Sequence, residues 1–358
     1  MKILVINPGS TSTKIAIYQE ETEVYTETIH HEPADLAPFS CVLEQLDYRK
    51  ALILTTLDKA GHPLSELDAV SGRGGFMYHI PSGTYRVTDE VVRVMHHALH
   101  EHAANLGPLL AKELADRAGI PAFFVDPVSV DEIIDVARVT GLAGMERESF
   151  FHCLNHKGVA RKAAKALGKT YETCNLVVCH LGGGVTSAAH EKGRAVDITN
   201  VFDEGCFSMD RSGALPVHQL VDLCFSGRSK EDVVRQLSTC GGVVSYLGTR
   251  DFRTVQRMAF EEGNPTARQI FDAMVYQLSK DIAALSSVMC MEVDAIVLTG
   301  GMAYSDLFCD AVEARVGKIA PVLRYPGEME MLSLAQGALR VLRGEEDPAV
   351  PNWNCDII

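Results

Sequence analysis

No stretch of the sequence reaches 18 consecutive apolar residues, so nothing in it reads as a membrane-spanning helix. A surplus of positive charge is also missing. Lys and Arg number 33 against 47 Asp and Glu, a formal net charge of −14. General binding to nucleic acid or to an anionic membrane surface needs a basic footprint, and both are excluded on that ground. An anionic ligand would have to be met by a local cluster of cations. No two of the ten cysteines form CxxC. Cys41, Cys153, Cys174, Cys179, Cys206, Cys224, Cys240, Cys290, Cys309 and Cys355 are scattered, several in apolar stretches such as NLVVCHL and SSVMCMEV. They read as reduced, buried thiols rather than a disulfide frame. The N-terminus has one lysine and then a strand pattern, without the layout of a signal peptide. The expectation is a cytoplasmic protein.

Common phosphate and metal motifs are absent as well. A P-loop needs GxxxxGK[ST], but Gly9 is followed by STSTK and then Ile15. A GxGxxG turn that opens a helix is not found either, because HLGGGVTSAAHEKG runs into a second strand and a turn. His96 and His100 stand four apart in MHHALHEHAANLG, but Glu101 follows the wrong histidine for HExxH. A solvated helix face or a subunit contact is the simpler reading there.

What remains is a chain of 358 residues, 47% apolar and 22% charged. That is the composition of a globular protein, and the length fits two domains. KILVIN and KIAIYQ alternate like a hairpin around INPGSTSTK, and EETE turns the chain into VYTETIHH. Helical patterns follow near 38–60 and over 89–118, the latter stopped by Gly119. LDAVSGRGG and IPAFFVDP read as buried strands, and residues 154–169 as a helix. NLVVCHLGGGVTSAAHEKGRAVDIT then repeats the N-terminal plan. With Gly182 laid on Gly9, an offset of 173 residues, Thr13 meets Thr186. A period this long points to a duplicated domain rather than a solenoid. Two matched strand–loop–strand units offer two small-residue loops, which can hold a phosphate chain by backbone N–H groups.

INPGSTSTK, CHLGGGVTSA and IVLTGGMAYS, in that order, resemble the two phosphate segments and the adenosine segment of the acetate and sugar kinase, heat-shock and actin superfamily. Within it the chain is similar to the acetate kinase family, in particular to its butyrate kinase branch. Supporting segments are SGRGGF, FVDPVSVDE, FFHCLNHK, DRSGALP, GTRDFR and YPGEMEMLSLAQGALRVL. The proline and Thr13 of the first loop, with HLGGG, favour that branch over acetate kinases proper. The resemblance implies reversible transfer of the γ-phosphoryl group of ATP to a carboxylate, giving an acyl phosphate and ADP, with Mg²⁺. A carboxylate is already ionised at pH 7 and needs no general base. The site must instead bring two anions together, using cations, neutral donors and a metal in line geometry.

By that resemblance Arg73 and Arg211 hold the carboxylate and the transferring phosphoryl group, for which a guanidinium fork is suited. His180 and His152 are implied as active-site donors, with His156 in a supporting place. Asp126 is implied to orient the substrate or the metal's water shell. Asn7, Gly9, Ser10, Thr11 and Lys14 belong to the first phosphate loop, and Gly182, Gly183 and Gly184 to the second. Asp251, Phe252, Arg253, Gly300 and Gly301 are implied at the base and ribose. Asn7 and Glu330 are the implied metal residues, with Glu328 close enough in sequence to take the role.

The implied fold is α/β: two duplicated ribonuclease H-like domains of the actin-like ATPase kind around a nucleotide cleft. Residues 1–150, rejoined by 332–358, form the first domain, and 151–331 the second, nucleotide-binding one. A homodimer or higher homo-oligomer is expected. A propionate, acetate or branched-chain carboxylate kinase remains open, as do a nucleotide switch and a sugar kinase. The switch would lack the paired arginines. A sugar hydroxyl would need a carboxylate base but not two arginines.

Overall fold

The computed structural model describes residues 1–98 and 100–351; Cys355 and the end of the 332–358 segment lie outside the described residues. The chain divides into two compact units, Met1–Asp131 together with the segment from Met329 onward, and Glu132–Glu328. Both dividing lines fall earlier than the sequence boundaries at 150 and 331. Residues 132–150 are held by the second unit. Ile134 donates its N–H to Val196 at 3.0 Å. Arg147 pairs with Asp197 at 2.9 Å and with Glu204 at 2.7 Å. The helix Glu330–Leu342 belongs to the first unit, where it packs against the sheet; a Cβ on its Gly337 would stand 2.5 Å from Val125 Cγ2.

In the first unit β1 (Lys2–Pro8), β2 (Ser12–Gln19) and β3 (Thr22–His30) form an antiparallel meander. β4 (Ala69–Arg73) and β6 (Ala122–Val125) extend it in parallel, and β5 (Thr84–Arg86) closes the edge, in the order β3-β2-β1-β4-β6-β5. Ile3, Leu4, Val5 and Ile6 are all buried, because β1 is central and both its faces are covered.

The second unit repeats this plan. β7 (Asn175–Leu181), β8 (Val185–Glu191) and β9 (Arg194–Ile198) form the meander, and β10 (Ala295–Gly300) and β11 (Val322–Pro326) the parallel extension. The order β9-β8-β7-β10-β11 matches β3-β2-β1-β4-β6 strand for strand. The duplication read from the sequence is therefore topological.

One detail of the sequence overlay is corrected by the register. Pro8 faces Thr13 across the first hairpin, but Leu181 faces Val185 across the second. The second loop is one residue shorter. Thr186, opposite His180, thus takes the place of Lys14, which is opposite Asn7, and not that of Thr13.

The helix expected over 89–118 is two helices, Asp89–Met95 and Leu106–Ala118, separated by a 3₁₀ turn at Ala103–Asn105. Pro108 explains the break: without an N–H it is tolerated in a first turn but not in a helix interior. The buried Asn105 side chain accepts from Phe76 N–H and donates to His100 C=O, both at 2.8 Å. Gly72 and Gly107 let this helix seat directly on β4, since a Cβ on either would meet the other segment's backbone at 2.1 Å. His96 and His100 consequently do not share a helix. Among the described residues no helix is long and apolar enough to cross a membrane.

Candidate active site

In the first unit the loop after β1 is held from beneath by a residue with no motif around it. Arg49, on the helix Leu46–Lys59, is 1% exposed. It donates from Nη1 to the carbonyls of Gly9 at 2.9 Å and Ser12 at 3.1 Å, and from Nη2 to that of Ser10 at 3.3 Å. Gln45 Oε1 and Thr13 Oγ1 take its remaining donors. A trans peptide plane directs its N–H opposite to its C=O. With the Gly9 and Ser10 carbonyls turned down to Arg49, the N–H groups of Ser10 and Thr11 face outward on exposed residues. Outward N–H groups above a buried cation are suited to an anion. Lys14 is exposed and directly opposite Asn7, on the same face of the hairpin.

At the end of β1, Asn7 Nδ2 donates to Glu330 Oε2 at 2.9 Å, and Arg73 Nη1 donates to Asn7 Oδ1 at 3.2 Å. Arg73 Nη2 lies 2.9 Å from Glu330 Oε1. The first strand, the GRGG segment and the returning helix thus meet at three side chains. Glu328, the other candidate carboxylate, lies in the second unit, 4.0 Å from His180 Nε2. Asp126 is buried, with its backbone at φ 39°, in the left-handed region. Its Oδ1 accepts from Gly83 N–H at 2.8 Å. A non-glycine residue held there stores strain of the kind found at ligand sites.

In the second unit the short loop 182–184 closes with Gly182 N–H on Gly184 C=O at 3.1 Å. A Cβ on Gly182 would stand 3.0 Å from His180 Nε2, and one on Gly184 3.0 Å from Arg211 Nη1 and 3.3 Å from His152 Cε1. These distances draw the second glycine loop, both histidines and Arg211 into one place. The rings of His152 and His180 stack at 4.0 Å. Asn155 Nδ2 donates to His180 Nδ1 at 2.8 Å, which leaves the ring's proton on Nε2. Arg211 is largely buried. Its Nη1 donates to Val201 C=O at 3.3 Å and its guanidinium lies 5.9 Å from the Phe202 ring centre. Burial lowers its pKa, and no ion pair joins it to a carboxylate among the described residues.

Beside this loop lies a cavity of about 560 Å³ lined by Gly182, Gly183, Asp251, Phe252, Arg253 and Gly301, among others. Four of the implied adenosine residues, Asp251, Phe252, Arg253 and Gly301, therefore share one space with Gly182 and Gly183 of the glycine loop, and Gly300 is not in its wall. Asp251 caps the helix Phe252–Phe260 and pairs with the exposed Arg253 at 3.1 Å. Phe252 reaches the core, against Phe271 and Phe308. Gly300, at φ 89°, is forced by packing, since a Cβ there would meet Leu181 C=O at 2.5 Å. A second cavity, of about 600 Å³, has no charged residue in its wall.

Sequence reasoning missed Arg49, Asn155 and Thr186, which act through other residues. No group of three or more His, Cys, Asp or Glu side chains able to hold a metal occurs among the described residues. One carboxylate and one amide oxygen suit Mg²⁺, which keeps several waters and takes few protein ligands.

Comparison with known proteins places this geometry. An acetate kinase from Porphyromonas gingivalis has a TM-score of 0.79 at 19% identity, over 95% of this chain and 99% of that one. A propionate kinase from Francisella tularensis gives 0.74 at 17%, over 94% and 98%. A ROK hexokinase from Thermus thermophilus gives 0.51 at 13%, over 95% and 100%. At these identities the likeness is one of fold. The acetokinase family model matches residues 143–315, which hold both histidines, the 182–184 glycine loop, Arg211 and most of the cavity wall. The chain shares the fold of these solved kinases, and its residues 143–315 match the acetokinase family model.

Proposed function

We propose that this chain is a carboxylate kinase of the acetate kinase family, transferring the γ-phosphoryl group of ATP to a short-chain carboxylate, with butyrate as the preferred acid. The observation that carries the reading is Arg211: a largely buried guanidinium, without an ion pair among the described residues, beside a glycine loop and two stacked histidines. Burial of this charge is costly, the neighbouring Asp210 offsets only part of the cost, and a bound anion would offset more.

A carboxylate oxygen attacks the γ-phosphorus. The bond from that phosphorus to the bridging oxygen breaks, and its electrons leave with ADP. No proton is transferred, so no general base is required. The outward N–H groups of Ser10 and Thr11 and the backbone of Gly182, Gly183 and Gly184 bind phosphate oxygens. His180, its proton on Nε2, donates to the transferring group, with His152 stacked beside it. Arg211 and Arg73 draw the carboxylate and the phosphoryl group together, and Asp126 orients the acid. Asp251, Phe252, Arg253, Gly300 and Gly301 receive the adenosine. Asn7 and Glu330 would hold the water shell of Mg²⁺, which when bound would neutralise phosphate charge and polarise the γ-phosphoryl group.

Hydroxylamine trapping with Mg-ATP against acetate, propionate, butyrate, isobutyrate and glucose tests the reading. A hydroxamate is expected from the acids, most from butyrate, and none from glucose. ATP hydrolysis without any carboxylate-dependent hydroxamate overturns it; a preference for another acid changes the substrate alone.

A further inference from the structure

His152 is the N-cap of the helix Cys153–Ala166, and His156 is one turn along it. β8 faces them with Thr186 and, four residues on and on the same side, His190. Thr186 Oγ1 lies 2.9 Å from His152 Nδ1 and 3.0 Å from His156 Nε2. His156 Nδ1 lies 3.3 Å from His190 Nε2, and His190 Nδ1 lies 2.7 Å from the Tyr171 hydroxyl. Tyr171 is 4% exposed, and Thr186, His156 and His190 not at all. Five side chains are therefore linked end to end, and His156 and His190 each use both ring nitrogens.

A neutral imidazole carries one proton, so the direction of any single bond fixes the rest. The Tyr171 end sets it. A phenol is a stronger acid than a neutral imidazole, and 2.7 Å is the length of an O–H donor bond. The Lys157 ammonium and Arg161 guanidinium lie 5.4 and 5.5 Å from the Tyr171 ring centre, which favours electron density on the phenol oxygen and makes it a better donor. Lys157 itself pairs with Glu132 at 2.7 Å. Burial, reinforced by these cations at His190, keeps His156 and His190 neutral. Tyr171 then donates to His190 Nδ1, His190 Nε2–H to His156 Nδ1, His156 Nε2–H to Thr186 Oγ1, and the Thr186 hydroxyl to His152 Nδ1.

We propose that Tyr171, His190, His156 and Thr186 form a buried hydrogen-bond chain that sets the tautomer of His152, fixing its proton on Nε2 at the phosphoryl-transfer site. The four are positioning residues, and the assignment of His152 to that site rests on the carboxylate-kinase reading. His180 receives the same tautomer from Asn155 by a separate bond. Two stacked rings then present Nε2–H donors, each specified from behind.

The test is nitrogen-15 NMR of histidine-labelled protein without substrate, with the His152 signals assigned by their loss in His152→Gln. Wild type is expected to show His152 in a single form, protonated on Nε2. Thr186→Val removes the hydroxyl at nearly constant shape and should redistribute the proton between the two nitrogens. Thr186→Ser should restore the wild-type pattern. Tyr171→Phe, at the far end, should also shift the populations. In turnover, Thr186→Val should lower kcat roughly tenfold, short of the 10²–10³ expected for deleting a donor outright, and Thr186→Ser should recover most of it. A His152 tautomer unchanged in Thr186→Val, or moved by Thr186→Val but not by Tyr171→Phe, overturns the chain. The NMR result does not depend on turnover, so a tautomer that behaves as expected in a protein without carboxylate-dependent activity removes the kinase reading and leaves the chain standing.

Discussion

Asn155 donates its side-chain amide to His180 Nδ1 at 2.8 Å and lies 3.4 Å from Thr299 Oγ1. The histidine is thereby held as a donor from Nε2. Asn155→Ala removes that specification without touching the loop glycines. A fall of roughly 10-fold in kcat is expected, with the KM for ATP little changed, because the lost interaction belongs to the transition state. Asn155→Asp should be worse, since a carboxylate draws the proton to Nδ1. Steady-state kinetics on the two variants checks the order.

Arg211 and Arg73 carry the largest expected effects. Arg→Ala at either should cost about 3–4 kcal/mol in barrier, or roughly 10²–10³ in rate. Arg→Lys should recover only part, because an ammonium does not reproduce a bidentate fork. The KM for butyrate should rise for the arginine that holds the substrate carboxylate in the ground state, and the other should show mainly in kcat. Kinetics on the four variants, with thermal melts to verify folding, separates these outcomes.

Gly183 and Gly300 give opposite expectations. No atom stands within 4 Å of where a Gly183 Cβ would lie, and its φ is not in the left-handed region. Gly183→Ala should melt like wild type, yet its KM for ATP should rise if a phosphate occupies that space. Gly300→Ala must fit a Cβ 2.5 Å from Leu181 C=O at φ 89°. It should be destabilised by more than about 2 kcal/mol. Melting temperature and ATP titration of the same two proteins distinguish a ligand contact from a packing contact.

Acid stability follows from three histidines buried without charge. His31, held neutral by burial and by Arg49, has its pKa pushed down to about 4, and burial also keeps His156 and His190 well below the ordinary range. Between about pH 6.5 and 4 the unfolded chain binds protons at these positions that the folded chain does not. Stability should therefore fall as pH drops below about 6.5, by up to about 1.4 kcal/mol per pH unit for each histidine. Asp281 opposes this, since burial raises its pKa to about 6 and the folded chain holds a proton there. Urea midpoints at pH 7.5, 6.5 and 5.5 should decrease in that order, and His31→Gln should flatten the decline.

Arg49 tests the first loop. Arg49→Met removes the side-chain donor from the carbonyls of Gly9 and Ser10, and leaves that of Ser12 with the Gly9 N–H alone. Bonds from a charged donor contribute roughly 1.5–3 kcal/mol, and a loss of that order in stability is expected. Arg49→Lys keeps the charge but spans fewer acceptors, so the loop should loosen. Amide exchange at residues 9–13 should quicken in both variants.

Much of this architecture was legible in the sequence, because its signals are local and periodic. KILVIN and NLVVCHL are apolar runs that only a central strand buries on both faces, and each is followed by a crowded loop of small residues. The topological duplication follows from those two hairpins. What stayed hidden depends on contacts between distant segments. Arg49 reads as one charge among many on an ordinary helix, and only the structure turns three loop carbonyls toward it. The one-residue shortening of the second loop moved Thr186 from the place of Thr13 to that of Lys14, and with it the hydroxyl that meets His152. SGRGGF supported the resemblance that implied Arg73, yet its Gly72 is required by the helix seated on β4. Glu330 was favoured over Glu328 by resemblance alone; its bonds to Asn7 and Arg73 arise because the chain returns to its first unit at Met329.

The central claim is that a carboxylate oxygen attacks the γ-phosphorus of ATP, and oxygen tracing tests it most directly. The protein is incubated with Mg-ATP, hydroxylamine and butyrate carrying ¹⁸O in both carboxylate positions, and the released phosphate is analysed by mass. Attack by the carboxylate leaves one labelled oxygen bridging carbon and phosphorus. Hydroxylamine then takes the acyl group, and each phosphate departs with a single ¹⁸O. Phosphate free of label, with ADP formed at the same rate whether or not butyrate is present, would mean that water is the acceptor and would contradict the account.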